Sequence, residues 1–175
     1  MQRKSVILLF ELVLSVMFGA LMFVSKMVME FLPNIHLLGM FIIVFTLVFR
    51  YKALVSIYVY VFLVGAYMGF SPWWLFNLYT WTILWAVVML LPRRMPRWLC
   101  LVVYPAVCAL HGFAYGVLCA PVQALLFNLT WEGTVAWVVT GFPFDILHGV
   151  GNLLTGLLIV PFVELLEHLR KHIPS

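Results

Sequence analysis

Residues 53–70 read ALVSIYVYVFLVGAYMGF, a run without a charged side chain, closed in front by Arg50-Tyr51-Lys52 and behind by Ser71-Pro72. Crossing the hydrocarbon core of a bilayer takes ~20 apolar residues as a helix, so a run of this length reads as a membrane span. Working outward, the pattern repeats on both sides: a charge cluster or turn residues, then another apolar stretch. Spans are expected at approximately 5–29, 36–49, 53–70, 72–91, 98–120 and 141–166. The second is short for a full crossing and suits a thin or tilted one. Leu32-Pro33-Asn34 ends the first, and Pro92-Arg93-Arg94-Met95-Pro96-Arg97 divides the fourth from the fifth.

The composition agrees. Of 175 residues 66% are hydrophobic and 9% charged, against about 45–50% and about 25% in soluble domains. A water-soluble globule, a disordered chain and a nucleic-acid binder with a basic face are excluded. Six spans take up roughly 120 residues, which leaves no room for a second domain. The expected fold is one all-α integral membrane domain over residues 1–175, with six transmembrane helices.

Orientation follows from the positive-inside rule. With the N-terminus in the cytoplasm, the inner side receives Arg3, Lys4, Arg50, Lys52, Arg93, Arg94, Arg97, Arg170 and Lys171. That is nine of the ten Lys and Arg residues, with only Lys26 near the outer face. Both termini are therefore expected in the cytoplasm, and the net charge of +4 reads as a topology signal. Arg3-Lys4 before an apolar run resembles a signal peptide, but the run is too long, Glu11 interrupts it and no cleavage site follows cleanly. It is expected to stay. Cys100, Cys108 and Cys119 fit neither a disulfide framework nor a zinc site and read as packing residues.

Polar groups inside spans are costly and mark function. Asp145, His148 and Asn152 stand at i, i+3 and i+7 on one face of the sixth span. This stripe has two main readings. It is a mutual network, Asp145 fixing His148 while Asn152 bonds a neighbouring helix, or it is the polar base of an outward pocket. A metal site lacks further ligands with suitable spacing, and no metal or cofactor is expected.

Trp74, Asn77 and Trp81 repeat the spacing in the fourth span, with Trp85 a turn further. Two aromatic faces beside an amide suit a ring-bearing ligand. Trp73 and Trp98 read as interfacial belt residues. The outer connections add Asn34 and His36 in one turn, and Glu132 in the long stretch from Pro121 to Thr140. That stretch is too apolar to be simply solvated and is expected to cover the outer end as a lid or re-entrant loop. Asn128-Leu129-Thr130 matches a glycosylation sequon with nothing else to support it. Ser15 and Gly19, four apart on the first span, have the small size that lets helices touch, either within the chain or against another subunit.

In Phe31-Leu32-Pro33-Asn34, Trp73-Trp74-x-x-Asn77-x-Tyr79-x-Trp81 and Pro143-Phe144-Asp145-x-x-His148-x-x-x-Asn152, and over essentially its whole length, the chain resembles the substrate-binding (S) components of energy-coupling-factor transporters. The resemblance implies a vitamin or related micronutrient held near the outer surface under closing loops. It implies a bacterial cytoplasmic membrane location, and a membrane coupling subunit with two ATPase subunits as partners. Carried over by position, the ligand contacts are Asn34, Trp74, Asn77, Trp81, Asp145, His148 and Asn152. Docking small residues fall at Ser15 and Gly19, where the family more often has alanines.

No phosphate-binding G-x-x-x-x-G-K-[ST] loop is present, so the chain does not hydrolyse ATP by that route, and uptake against a gradient would draw its energy from partners or an ion. An enzyme is not expected. The alternative from that class, a rhomboid-like intramembrane serine protease, would set Ser71 of Gly69-Phe70-Ser71 against His148, but Pro72 follows directly. A stand-alone small-solute carrier is the other alternative, though the chain lacks the paired halves common in such carriers.

Overall fold

The computed structural model describes residues 2–32 and 34–171; side chains are described from residue 9 onward. Pro33 and the side chains of Arg3 and Lys4, which entered the turn and topology readings, lie outside the described residues. The chain is all-α: α1 (Gln2–Val28), α2 (Leu38–Phe49), α3 (Ala53–Met68), α4 (Pro72–Leu90), α5 (Arg97–Phe113), α6 (Tyr115–Phe127), α7 (Trp131–Gly156) and α8 (Ile159–Arg170). Four runs of helix are long and apolar enough to cross a membrane, Leu9–Val28, Leu38–Met68, Pro72–Leu90 and Arg97–Phe127. The pair α7 and α8, bent by 45° at a short break, makes a fifth. The protein is a multi-pass helical membrane protein.

Within Leu38–Met68 the chain reverses. Arg50 has φ 57, outside the helical region, and a single 3-10 turn follows it. It is held at both its backbone and its side chain: Trp85 Nε1 donates to the Arg50 carbonyl at 3.2 Å, and the guanidinium Nη2 of Arg50 donates to the Met89 carbonyl at 3.1 Å. α2 and α3 therefore run antiparallel. With α5–α6 and α7–α8 each counted as one, the bundle has six helical legs; α2 and α3 share the one long apolar run Leu38–Met68 and are 12 and 16 residues long. Within the expected span 36–49 the helix α2 holds only 12 residues, about 18 Å of rise. Ten of the 12 are buried, so α2 is the central strut and not a lipid-facing crossing.

Contacts set the directions. Glu11 pairs with Lys52 and Phe23 meets Tyr67, so α1 and α3 run the same way. Trp74 Nε1 donates to the Val61 carbonyl and Tyr58 reaches Thr82, so α4 runs against α3. α5 and α7 touch backbone to backbone, where a Cβ on Gly112 would stand 2.8 Å from Gly149 Cα. Between membrane helices, where lipid is as apolar as leucine, such close packing supplies the association energy. Gly19 faces inward: a Cβ there would meet the Ser56 carbonyl and Val59 of α3 at 2.7 Å. Ser15 turns its hydroxyl back to the Glu11 carbonyl.

The described basic side chains gather at one end. Lys52 pairs with Glu11, Arg97 with Glu164, and Arg170 donates to the Val48 carbonyl, while Arg93 and Arg94 occupy the α4–α5 connection. Lys26 is at the other end, beside Met68. Trp73 and Trp98 are exposed at opposite ends, where belt residues belong.

The Pro121–Thr140 stretch departs from expectation. It is no lid loop: α6 continues through Pro121 to Phe127, and α7 begins at Trp131, ten residues before Gly141. Asn128 ends α6 in the left-handed conformation, and Thr130 Oγ1 caps α7 by accepting from Gly133 N at 3.2 Å. The sequon residues are thus the turn of a helical hairpin. Pro121 and Pro143 sit inside helices, as proline does in membrane bundles where neighbours take up the freed carbonyls.

Candidate functional site

A cavity of about 810 Å³ lies at the end of the bundle away from the basic cluster. Its walls come from the end of α1 and the turn after it, the facing ends of α3 and α4, and the α6–α7 hairpin. Of the nine residues singled out for substrate binding, seven line it: Asn34, His36, Trp74, Asn77, Trp81, Asp145 and His148. Asn152 and Glu132 are not in its walls.

The floor is a cluster of rings. His36 and His148 meet edge to face with centroids 4.8 Å apart, and Tyr115 stands 4.9 Å from His148. Trp81 closes the set, 5.9 Å from His36 and 5.7 Å from Tyr115. Trp81 is only 2% exposed and its indole N–H donates to Asn77 Oδ1 at 2.7 Å, which fixes both side chains on α4. Trp74 is tied by its N–H to the Val61 carbonyl at 2.8 Å, leaving its ring as wall. Trp85, the next in the series, turns to Arg50 at the opposite end.

Two ring nitrogens on this floor, His36 Nδ1 and His148 Nε2, are buried with no hydrogen-bond partner among the described residues. Buried polar atoms are nearly always paired, and exceptions call for a reason. His36 lies in the connection between α1 and α2. Burial, with the Lys26 ammonium adding to it, pulls its imidazole down to about 4, so at neutral pH the ring is uncharged. A neutral imidazole offers one donor and one acceptor.

Asp145 and His148 share a face of α7 as expected but do not form the mutual pair that one reading required. Both oxygens of Asp145 accept from Gly116 N at 3.1 Å, at the head of α6 just beyond the break at Ala114. A Cβ on Gly116 would meet the carboxylate, which would have to turn aside. The positive end of α6 suits a carboxylate. Asn152 lies beneath the floor, 1% exposed, and donates to the Cys108 carbonyl of α5 at 3.1 Å, the helix tie of the network reading. Glu132 is exposed in the first turn of α7, where its charge complements the helix dipole.

Tyr115 and His111 went unremarked in the sequence. His111, 7% exposed, hydrogen-bonds the Thr80 carbonyl at 3.0 Å and stacks near Trp81 at 5.3 Å. The rule that singled out His148, an ionisable group inside a span, applies equally to His111. Tyr115 has no comparable signal, because tyrosine is common in membrane helices. Among the described residues no three His, Cys, Asp or Glu side chains converge as a metal site. Ser71 lies on the cavity wall and forms no hydrogen bond with His148.

A second hollow of about 640 Å³ runs between α6 and α7, lined by Val117, Ala120, Ala124, Val135 and Val139. It offers almost no polar group, whereas the ring-floored cavity combines aromatic walls with a few convergent polar atoms, as small-molecule sites do. Compared with family models, curated protein sequences and solved structures, the chain matches none.

Proposed function

We propose that this protein is the solute-capturing membrane subunit of an energy-coupling-factor type importer. In this reading it binds a vitamin or related ring-bearing micronutrient in an outward-facing cavity. A membrane coupling subunit and two ATPase subunits supply the energy. The observation that carries the reading is the ring-floored cavity with two unpartnered imidazole nitrogens, at the end of the bundle opposite the basic cluster. With the basic end in the cytoplasm, the cavity opens outward, where a captured solute arrives. Trp74 supplies an aromatic wall, Trp81, almost fully buried, backs the floor, and Asn34, His36 and His148 bring polar groups to the lining. Asp145 holds the α6 wall in place through Gly116.

Native mass spectrometry of the protein purified in mild detergent tests this directly. A ring-bearing small molecule is expected to co-purify, and Trp81→Ala and Asp145→Ala are each expected to weaken its retention at least ~tenfold, the effect of about 1.4 kcal/mol. Unchanged affinity in both variants sinks the site assignment. Transport by the chain alone in liposomes, without ATP or partner, sinks the subunit reading.

A further inference from the structure

Lys26 stands apart from every other described basic residue. It is the one Lys or Arg at the cavity end of the bundle, against the charge asymmetry that orients the rest. It is half-buried in the last turn of α1 and lines the cavity. Its ammonium has no ion pair among the described residues; its one hydrogen-bond acceptor is the Met68 thioether, Nζ to Sδ 3.6 Å. A thioether is a weak acceptor and carries no charge.

Neither carboxylate of the cavity lining pairs with it. Asp145 has both oxygens on Gly116 N at the head of α6. Glu30 lines the mouth but is exposed, so water solvates it. The nearby His36 ring is neutral, and α2, which begins just beyond it, has no side-chain cap on its positive N-terminal end. Lys26 therefore lines the cavity with no carboxylate at ion-pair distance among the described residues, although Glu30 and Asp145 line the same cavity.

We infer that Lys26 is a ligand-binding residue and that the solute carries an anionic group, such as a carboxylate. Lys26 Nζ holds that group near the mouth while the ring lies on the floor formed by Trp81, His36 and His148. The inference rests on the proposed binding role of the cavity and adds the charge of its ligand.

The test uses the full chain in detergent and two matched probe pairs, nicotinate with nicotinamide and benzoate with benzamide, titrated against tryptophan fluorescence. Each acid is expected to bind at least ~tenfold tighter than its neutral amide, as a charge-assisted hydrogen bond gives. Lys26→Met should bring the pair to parity, Lys26→Arg should keep the preference, and His148→Phe should abolish binding of all four. Thermal unfolding confirms that each variant is folded. Amides that bind as well as acids, or a preference that survives Lys26→Met, overturn the role of Lys26 while leaving the cavity as a binding site. Absence of binding by all four probes to the unmodified protein, or binding untouched by His148→Phe, overturns the cavity reading and this inference with it.

Discussion

The two ends of the bundle differ in how their charged side chains are partnered. At the basic end Lys52 has Glu11, Arg97 has Glu164, Arg170 has the Val48 carbonyl and Arg50 has Met89. At the cavity end Lys26 has a thioether, and His36 Nδ1 and His148 Nε2 have nothing among the described residues. Between them lies a layer of close packing, with Gly112 on Gly149 and Asn152 on the Cys108 carbonyl. Satisfied polarity is what architecture requires of a membrane protein. Arg50 Nε, His111 Nδ1, Gln123 Oε1 and Asn152 Oδ1 are also buried without a partner, but among the described residues only His36 and His148 bring such atoms to the cavity lining.

That contrast is open to attack from the middle layer outward. Gly112→Leu should have the largest effect, since it drives a side chain into the backbone of α7. A loss of about 3 kcal/mol in thermal unfolding is expected from overpacking of this kind, and stability unchanged within error would mean that α5 and α7 do not meet as described. His148→Phe should do the reverse. It removes an unpaired buried nitrogen, so stability should hold or rise by up to about 1 kcal/mol, while retention of the co-purifying solute drops at least ~tenfold. A variant that loses stability and keeps its ligand would make His148 an architectural residue.

Asn152→Leu probes the boundary between the two regimes. Losing its hydrogen bond to the Cys108 carbonyl should lower stability by about 1 kcal/mol, with solute affinity changed less than ~threefold, a difference worth under about 1 kcal/mol. A tenfold affinity loss with stability intact would move Asn152 into the site. Arg97→Gln should matter least. Its pair with Glu164 is exposed and exchanges one solvated contact for others, so the unfolding midpoint should not move measurably.

Much of this was legible in the sequence. The passes follow from uncharged runs and their breaks, and the i, i+3, i+7 spacing correctly put Asp145, His148 and Asn152 on one face of a helix. Spacing names a face but not a partner. Asp145 turns to Gly116 and Asn152 to Cys108, contacts between residues 29 and 44 positions apart that no local pattern encodes. The α6–α7 hairpin was misread for a chemical reason. Pro121, at the expected end of the fifth span, is inside a helix, and the true turn rests on the left-handed Asn128 and the cap at Thr130.

The brevity of α2 has a geometric consequence. A full crossing takes ~20 residues, and α2 has 12. The shortfall amounts to about 12 Å of helix at ~1.5 Å per residue, and it falls at the N-terminal end, since the far end of α2 is fastened at Arg50 to Trp85 and Met89. The chain leading into α2 must therefore descend into the bundle to reach it, which is how His36, a residue of a connecting turn, comes to form part of a floor. The chamber occupies the height that two missing turns of helix would have filled. Its depth is thus written in the length of one helix, and a chain with a longer α2 on the same bundle would have a shallower site or none.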